Sequence, residues 1–248
     1  MPAQGYILGI HSVTTDFPHH ALLKLYSTTK GNCALHSKQP IDCRQCPRLA
    51  DFLDSVKVSH PDYHARPVAA FGDLNPRLLI IGLAPGMHGA NRTGRPFTGD
   101  FAGILLYQTL HKFGLASHSE SISTDDNLSL SGCRITNAVK CLPPENKPET
   151  KEIKQCNQYL EKEIKEFKLN KGVALMALGT VAHRAALMAL GLKIKDFSFG
   201  HGAVHTLPNG LILYDSYHCS RYNTQTKRLT TEMFEQVFKK ICADWVHS

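Results

Sequence analysis

Four short apolar runs, each followed by a segment of helical period, constrain this chain more than any other feature. They are "PRLLIIG", "CRITNAVKC", "GVALMALG" and "GLILYDSYH". A parallel strand covered on both faces reads as a continuous apolar run instead of an alternating one. The segments between them carry helix patterns. Phe101, Ile104, Leu105, Thr109 and Leu110 supply an apolar face after the first run. "ENKPETKEIKQCNQYLEKEIKEF" follows the second, with Pro148 ahead of it, Thr150 and Ile153 near its start, and Glu/Lys spacing on its exposed face. "TVAHRAALMALG" follows the third, capped by Thr180 and closed by Gly191. Leu229, Met233, Val237 and Ile241 stand at helical spacing after the fourth. A further helix pattern through Leu49, Phe52 and Leu53 precedes the first run. Strands alternating with helices predict an α/β fold with a mostly parallel sheet of four strands. No repeat or linker divides it, so one domain is expected over 41–248, with 1–40 as an N-terminal extension.

The chain has 248 residues, 42% hydrophobic and 20% charged, which is enough for one full core. No apolar run approaches the ~20 residues needed to span a bilayer. The first residues lack a basic head followed by a long apolar segment. A soluble, cytoplasmic protein is therefore expected, with no membrane partner. The net charge of +7 points to a polyanionic partner, nucleic acid first. The plainer alternative is a basic protein kept soluble by its charge. That charge is spread along the chain, which suits a folded groove better than a tail.

The stretch "GLAPGMHGANRTGRPFTGD", residues 82–100, leaves the first strand at its carboxyl end, where open α/β sheets place their ligands. Gly82, Gly86 and Gly89 permit close backbone approach, and such a loop offers N–H groups to a carbonyl or phosphate. A tight turn would explain the glycines alone, but Asn91, Arg92, Arg95 and Asp100 add polar and charged groups. Phe97 is either a plug into the core or a stacking platform, and bare sequence favours the plug. Asn137 ends the second strand and offers a donor beside an acceptor, which suits the pairing edge of a nucleobase. An asparagine serving local backbone groups is the common alternative. His218 follows the fourth strand and is able to donate to a leaving group. Only its position separates it from the other thirteen histidines.

Eight cysteines without a secretion signal favour metal or cluster binding over disulfides. Cys43 and Cys46 form a C-x2-C pair. Cys141 sits at a strand end and Cys156 in the next helix. Spacing alone does not choose between zinc and an iron–sulfur cluster. Cys133 and Cys242 read as small buried apolar residues.

Three motifs together, "GLAPGMHGANRTGRPFTGD", "ITNAVKCLPPENKP" and "YHCSRYNTQTKRLT", resemble the uracil-DNA glycosylase superfamily in its iron–sulfur branch, and within it the fifth, or type B, family. The resemblance covers roughly residues 40 to 245. It implies a parallel four-stranded sheet flanked by helices. It also implies a structural [4Fe–4S] cluster on Cys43, Cys46, Cys141 and Cys156. Its expected partner is DNA containing uracil or other deaminated bases, bound by a monomer. Carried onto this sequence, Phe97 stacks on the flipped base and Asn137 reads its edge. Backbone around Ala84 and Gly86 holds a carbonyl, and His218 stabilises charge on the departing base. The segment 220–223, with Arg221, Tyr222 and Asn223, presses into the minor groove. Arg92, Lys227 and Arg228 are further DNA contacts.

One departure matters. Related families carry a carboxylate or amide at the position of Leu83 or Ala84 to handle the attacking water, and here both are apolar. Asn91 is the first candidate for that water and Asp100 the second. Such a site is expected to accept bases beyond uracil, hypoxanthine among them. The implied activity is a monofunctional glycosylase of base-excision repair. The rival readings are a non-cleaving binding module, a nucleoside hydrolase and a zinc protein of similar fold.

Overall fold

The computed structural model describes residues 42–166 and 173–246. The expected extension 1–40, with Cys33, lies outside the described residues. In chain order the elements are α1 (Pro47–Ser59), β1 (Phe71–Gly72), β2 (Leu78–Gly82), α2 (Ala90–Thr93), α3 (Phe101–Lys112) and β3 (Cys133–Asn137). There follow α4 (Thr150–Glu166), β4 (Ala174–Leu178), α5 (Thr180–Ala189), β5 (Val204–Thr206), β6 (Ile212–Ser216), α6 (Arg221–Gln225) and α7 (Thr231–Val246). Among the described residues no helix is long and apolar enough to cross a membrane.

Among the described residues the sheet has six strands in the order β1-β3-β2-β4-β6-β5. The inner four are parallel and correspond to the four apolar runs. The two edge strands are antiparallel and raise the expected four to six. They are two and three residues long, too short to leave a sequence pattern. From β2 the chain turns to one side to make β3, then crosses back to make β4 on the other. That reversal opens a crevice at the carboxyl ends of β2 and β4, the usual ligand position in such sheets.

Burial on both faces explains the continuous apolar runs. Leu78 and Ile80 face α3 and α7, where Leu106, Leu110, Phe234 and Phe238 are buried. Leu79 and Ile81 face α4 and α5, meeting Leu160 and the small side chains Ala182 and Ala186. Each such side chain contributes roughly 1.5–3 kcal/mol relative to exposure. A third cluster packs Leu49, Leu53 and Val56 of α1 against Val139, Leu142 and the thiols of Cys141 and Cys156. Two local expectations are corrected. Ile104 is 52% exposed, on the outer face of α3 instead of its core face. Gly179, not Thr180, occupies the cap of α5; its φ of 93° needs glycine, and no side chain caps the helix. Gly191 closes that helix with φ 68°, as expected.

Candidate functional site

The loops after β2, β3 and β6 meet at one point, and Gly82 marks it. Gly82 lies opposite Asn137 in the parallel register. The two strands stay zipped beyond their ends, with Ala138 N–H donating to the Gly82 carbonyl at 2.9 Å and Val139 N–H to Leu83 at 3.0 Å. A Cβ at position 82 would collide with Asn137 Oδ1 and lie 2.7 Å from Cε2 and Cζ of Phe97. Glycine is therefore required where the amide and the ring converge. Asn137 is 3% exposed, and its Oδ1 has no hydrogen-bond partner among the described residues. An acceptor desolvated in this way costs about 1–3 kcal/mol unless something else satisfies it.

Phe97 carries a φ of 54°, in the left-handed region that side chains avoid. It is the third residue of a turn opened by Arg95 and Pro96 and closed by Thr98 N–H donating to the Arg95 carbonyl at 3.3 Å. Proline suits the second position of such a turn, but the third normally takes glycine. Holding a phenylalanine there costs of order 1–3 kcal/mol. The start of α3 is shaped around it, since Gly103 abuts the Phe97 carbonyl so closely that no Cβ fits. Of the two sequence alternatives for Phe97, the structure shows the core plug. Its ring is 5% exposed in the main core and also stacks on His218, with centroids 5.8 Å apart and planes 28° apart.

His218 is partly buried, and desolvation pulls its pKa down to about 4. The ring is therefore neutral at pH 7, with one N–H to give. Among the described residues its ring nitrogens have no hydrogen-bond partner. Its backbone is held instead: Asn223 Nδ2 donates to the His218 carbonyl at 2.8 Å. Tyr217, the residue before it, donates its N–H to His201 Nδ1 at 3.2 Å and stacks on that ring at 5.1 Å. Two positions further back, Asp215 is fully buried and accepts from His183 Nδ1 at 2.8 Å and His205 Nε2 at 3.2 Å. Each imidazole meets its own carboxylate oxygen, so hydrogen bonds account for that cluster. Sequence reading missed Asp215, His183 and His201 as supports of this strand end. Their partners lie 10 to 32 residues away, and no local pattern pairs them.

Asn91 is completely buried in α2, and neither Oδ1 nor Nδ2 has a partner among the described residues. Its backbone is fixed on both sides, donating to Gly86 O and accepting from Ala65 N, each at 3.0 Å. Asp100 has a structural duty that sequence reading missed. It caps α3, with Oδ1 accepting from Gly103 N–H at 2.9 Å. Its Oδ2 faces the backbone at Gly86 and Gly89. Burial raises its pKa, against the pull of the Gly103 and Ala102 amides. Ala84 packs toward the α1 cluster, and Gly86 is partly exposed between Asp100 and Asn91.

The expected DNA contacts divide. Arg221, Tyr222, Lys227 and Arg228 are exposed, Tyr222 at 70%. Arg221 lies over the Phe101 ring at 5.1 Å and Arg228 over the Tyr217 ring at 4.6 Å, so both cations stand on aromatic supports. Arg92 is exposed and anchored by its Nε to His88 O at 2.7 Å. Asn223 is turned inward onto His218.

Cys43, Cys46, Cys141 and Cys156 line one cavity with Lys140 and Tyr159. None is disulfide-bonded. Lys140 N–H donates to Cys156 Sγ at 3.3 Å, and Arg48 grips Glu152 with two 2.8 Å bonds that tie α1 to α4 beside them. Burial pushes the Cys156 thiol up to about 11 and Cys141 up to about 12, the neighbouring thiols adding to the latter. The donor set is four thiols lining one cavity, which suits a thiolate-bound metal or cluster.

The sheet is thus doubly wound, with an aromatic ring, a buried amide and a neutral imidazole gathered at the carboxyl ends of its strands, a four-thiol cavity, and exposed basic side chains on α6 and the turn after it. A model of the uracil DNA glycosylase superfamily matches residues 69–242. The chain belongs to that superfamily. It is similar to the Type-5 uracil-DNA glycosylase of Thermus thermophilus, 48% identical over 200 residues covering 79% of this chain and 90% of the relative. It is also similar to the Type-5 uracil-DNA glycosylase of Pyrobaculum aerophilum, 39% identical over 208 residues, 82% of this chain and 89% of the relative. The Type-4 uracil-DNA glycosylase of the same organism is 31% identical over 134 residues, 54% of this chain and 59% of the relative.

Proposed function

We propose that this protein is a uracil-DNA glycosylase of base-excision repair that extrudes uracil from DNA and hydrolyses its N-glycosidic bond. Water supplies a hydroxyl to the sugar carbon and a proton to the base, leaving an abasic site. The convergence of Asn137 Oδ1 and the Phe97 ring on Gly82, with His218 against that ring, carries the reading. Asn137 pairs with the polar edge of the base, and its unsatisfied acceptor receives a base N–H. Phe97 gives a stacking face. As the bond breaks, negative charge moves onto the base, and the neutral His218 N–H donates to it. Such a donor acts chiefly in the transition state.

Asn91 and Asp100 are the candidates for holding the attacking water. Asn91 has the stronger claim, because its whole amide is unpartnered while half of the Asp100 carboxylate is taken by the helix cap. Without a charged group at Leu83 or Ala84 the pocket discriminates less sharply, and hypoxanthine is a further expected substrate. Cys43, Cys46, Cys141 and Cys156 hold a [4Fe–4S] cluster. When bound, it supplies structural anchoring of α1 and α4 to the loop after β3. The protein acts as a monomer in the cytoplasm, with DNA along Arg92, Arg221, Tyr222, Lys227 and Arg228. This exposed shelf favours a polymer over a free nucleoside as substrate.

The test is single-turnover excision on duplexes carrying uracil, hypoxanthine, xanthine or thymine, followed by strand scission at abasic sites. Release of uracil with product strands that need alkali to break supports the reading. Binding without release would leave a non-cleaving module.

A further inference from the structure

We infer that Asp126, from the Ser-rich loop 117–127, is a positioning residue of the base pocket, acting through Arg95 to close the turn that aims Phe97. The inference rests on the reading of Phe97 as the stacking face. That loop carries no apolar pattern, yet it folds back on the 82–100 stretch at one buried point. Arg95 is 4% exposed. Its guanidinium forks onto Asp126, with Nη1 donating to Oδ1 at 2.9 Å and Nη2 to Oδ2. Nη2 also donates to Ser121 Oγ at 2.7 Å, and Nε to Thr98 Oγ1 at 2.9 Å. Arg95 and Thr98 are the first and fourth residues of the Phe97 turn, so one side chain locks both ends.

The surroundings reinforce the clamp. Asp126 accepts the N–H groups of Ile122, Ser123 and Leu128, so the same carboxylate organises its own loop. Gly99, just past the turn, donates its N–H to Ser121 O at 3.0 Å. Tyr107 of α3 donates to the Pro96 carbonyl at 2.9 Å, and the Arg95 plane lies over the Phe71 ring at 4.9 Å. A phenylalanine in a left-handed conformation relaxes to negative φ unless its neighbours forbid it. Release of the clamp lets the turn relax and swings the ring away from Gly82 and Asn137. The fork needs a planar guanidinium facing a carboxylate, which neither lysine nor asparagine reproduces.

A double-mutant cycle on the full chain tests this. Single-turnover uracil excision, measured below each variant's Tm, is compared for wild type, Asp126→Asn, Phe97→Leu and the double variant. Each single change is expected to slow excision on the order of 10- to 100-fold, the cost of a reacting group misplaced by about 1 Å. The double variant is expected to be no slower than Phe97→Leu alone, because Asp126 acts through the ring. Arg95→Lys should match Asp126→Asn, and it carries the cycle should Asp126→Asn not fold. Binding to a duplex without uracil should stay unchanged. Multiplying effects, or wild-type excision by the clamp variants while Phe97→Leu is slow, overturn the clamp alone. Wild-type excision by Phe97→Leu overturns the stacking reading and the inference with it.

Discussion

His218 and Asn91 use opposite devices, and their variants separate accordingly. Removing one donor aimed at transition-state charge costs on the order of 10²–10³ in rate. His218→Ala is expected to lose that much in single-turnover excision while duplex affinity, supplied mainly by phosphate contacts, changes little. Because its ring is already neutral near pH 7, the wild-type rate should show no ionisation near pH 6.5, the usual histidine value. A step at that pH that His218→Ala abolishes would remove the neutral-donor role. Asn91 is a buried amide without a protein partner, so its polarity burdens the fold. Asn91→Leu, close in volume and shape, is expected to keep or raise Tm while excision falls. A drop in Tm with full activity would make Asn91 a structural residue with no share in the chemistry.

At the scale of elements, the supports of the site make separate predictions. Cys141→Ser and Cys156→Ser should each lose iron and the broad blue absorption. Tm should fall too, because α1 packs directly on those thiols. Full iron content in both variants would remove the assignment. On α6 and the turn after it, Arg221→Ala or Lys227→Ala should weaken binding to all duplexes alike. Each should lower the slope of log K against log salt by about one unit per lost phosphate contact. An unchanged slope would mean the exposed shelf does not touch phosphate. The sequence made the four inner strands readable because burial on both faces leaves an unbroken apolar signature. Asn137 and His218 stood out as candidates because each sits at or just past a strand end. The left-handed turn at Phe97 was not readable, since proline followed by phenylalanine carries no such signal. Nor was Asp126, whose partner Arg95 is 31 residues upstream in a different loop. Asp100 shows a subtler limit: its polarity marked it for chemistry, and the fold also uses it as a helix cap.

Over the whole molecule, three histidines around β6 contribute to how stability changes with pH, and they pull in opposite directions. Burial lowers the pKa of His218 to about 4 and lowers that of His201 as well. The unfolded chain takes up those protons near 6.5, while the fold takes up that of His201 only below its usual value and that of His218 only near 4. Between about pH 6.5 and 4 the unfolded state therefore binds more protons, and stability falls as pH falls. For His218 the loss is at most about 3 kcal/mol, and less to the extent that solvent reaches the ring. His183 has the opposite sign. Burial works to lower its pKa, but the hydrogen bond and charge of Asp215 outweigh it, and the net shift is upward. Both of its ring nitrogens face acceptors, Asp215 Oδ1 and the Phe197 carbonyl, which the charged ring satisfies together. Its contribution is present below pH 6.5 and is lost as pH rises through its folded value. Urea unfolding from pH 5 to 9 should therefore show a maximum near neutrality with a distinct cause on each side. His218→Ala is expected to flatten the acid limb and leave the alkaline limb alone. His183→Gln, uncharged at every pH, is expected to lower the whole curve and flatten the alkaline limb. Parallel curves for wild type and both variants would show that neither ring is the titrating group.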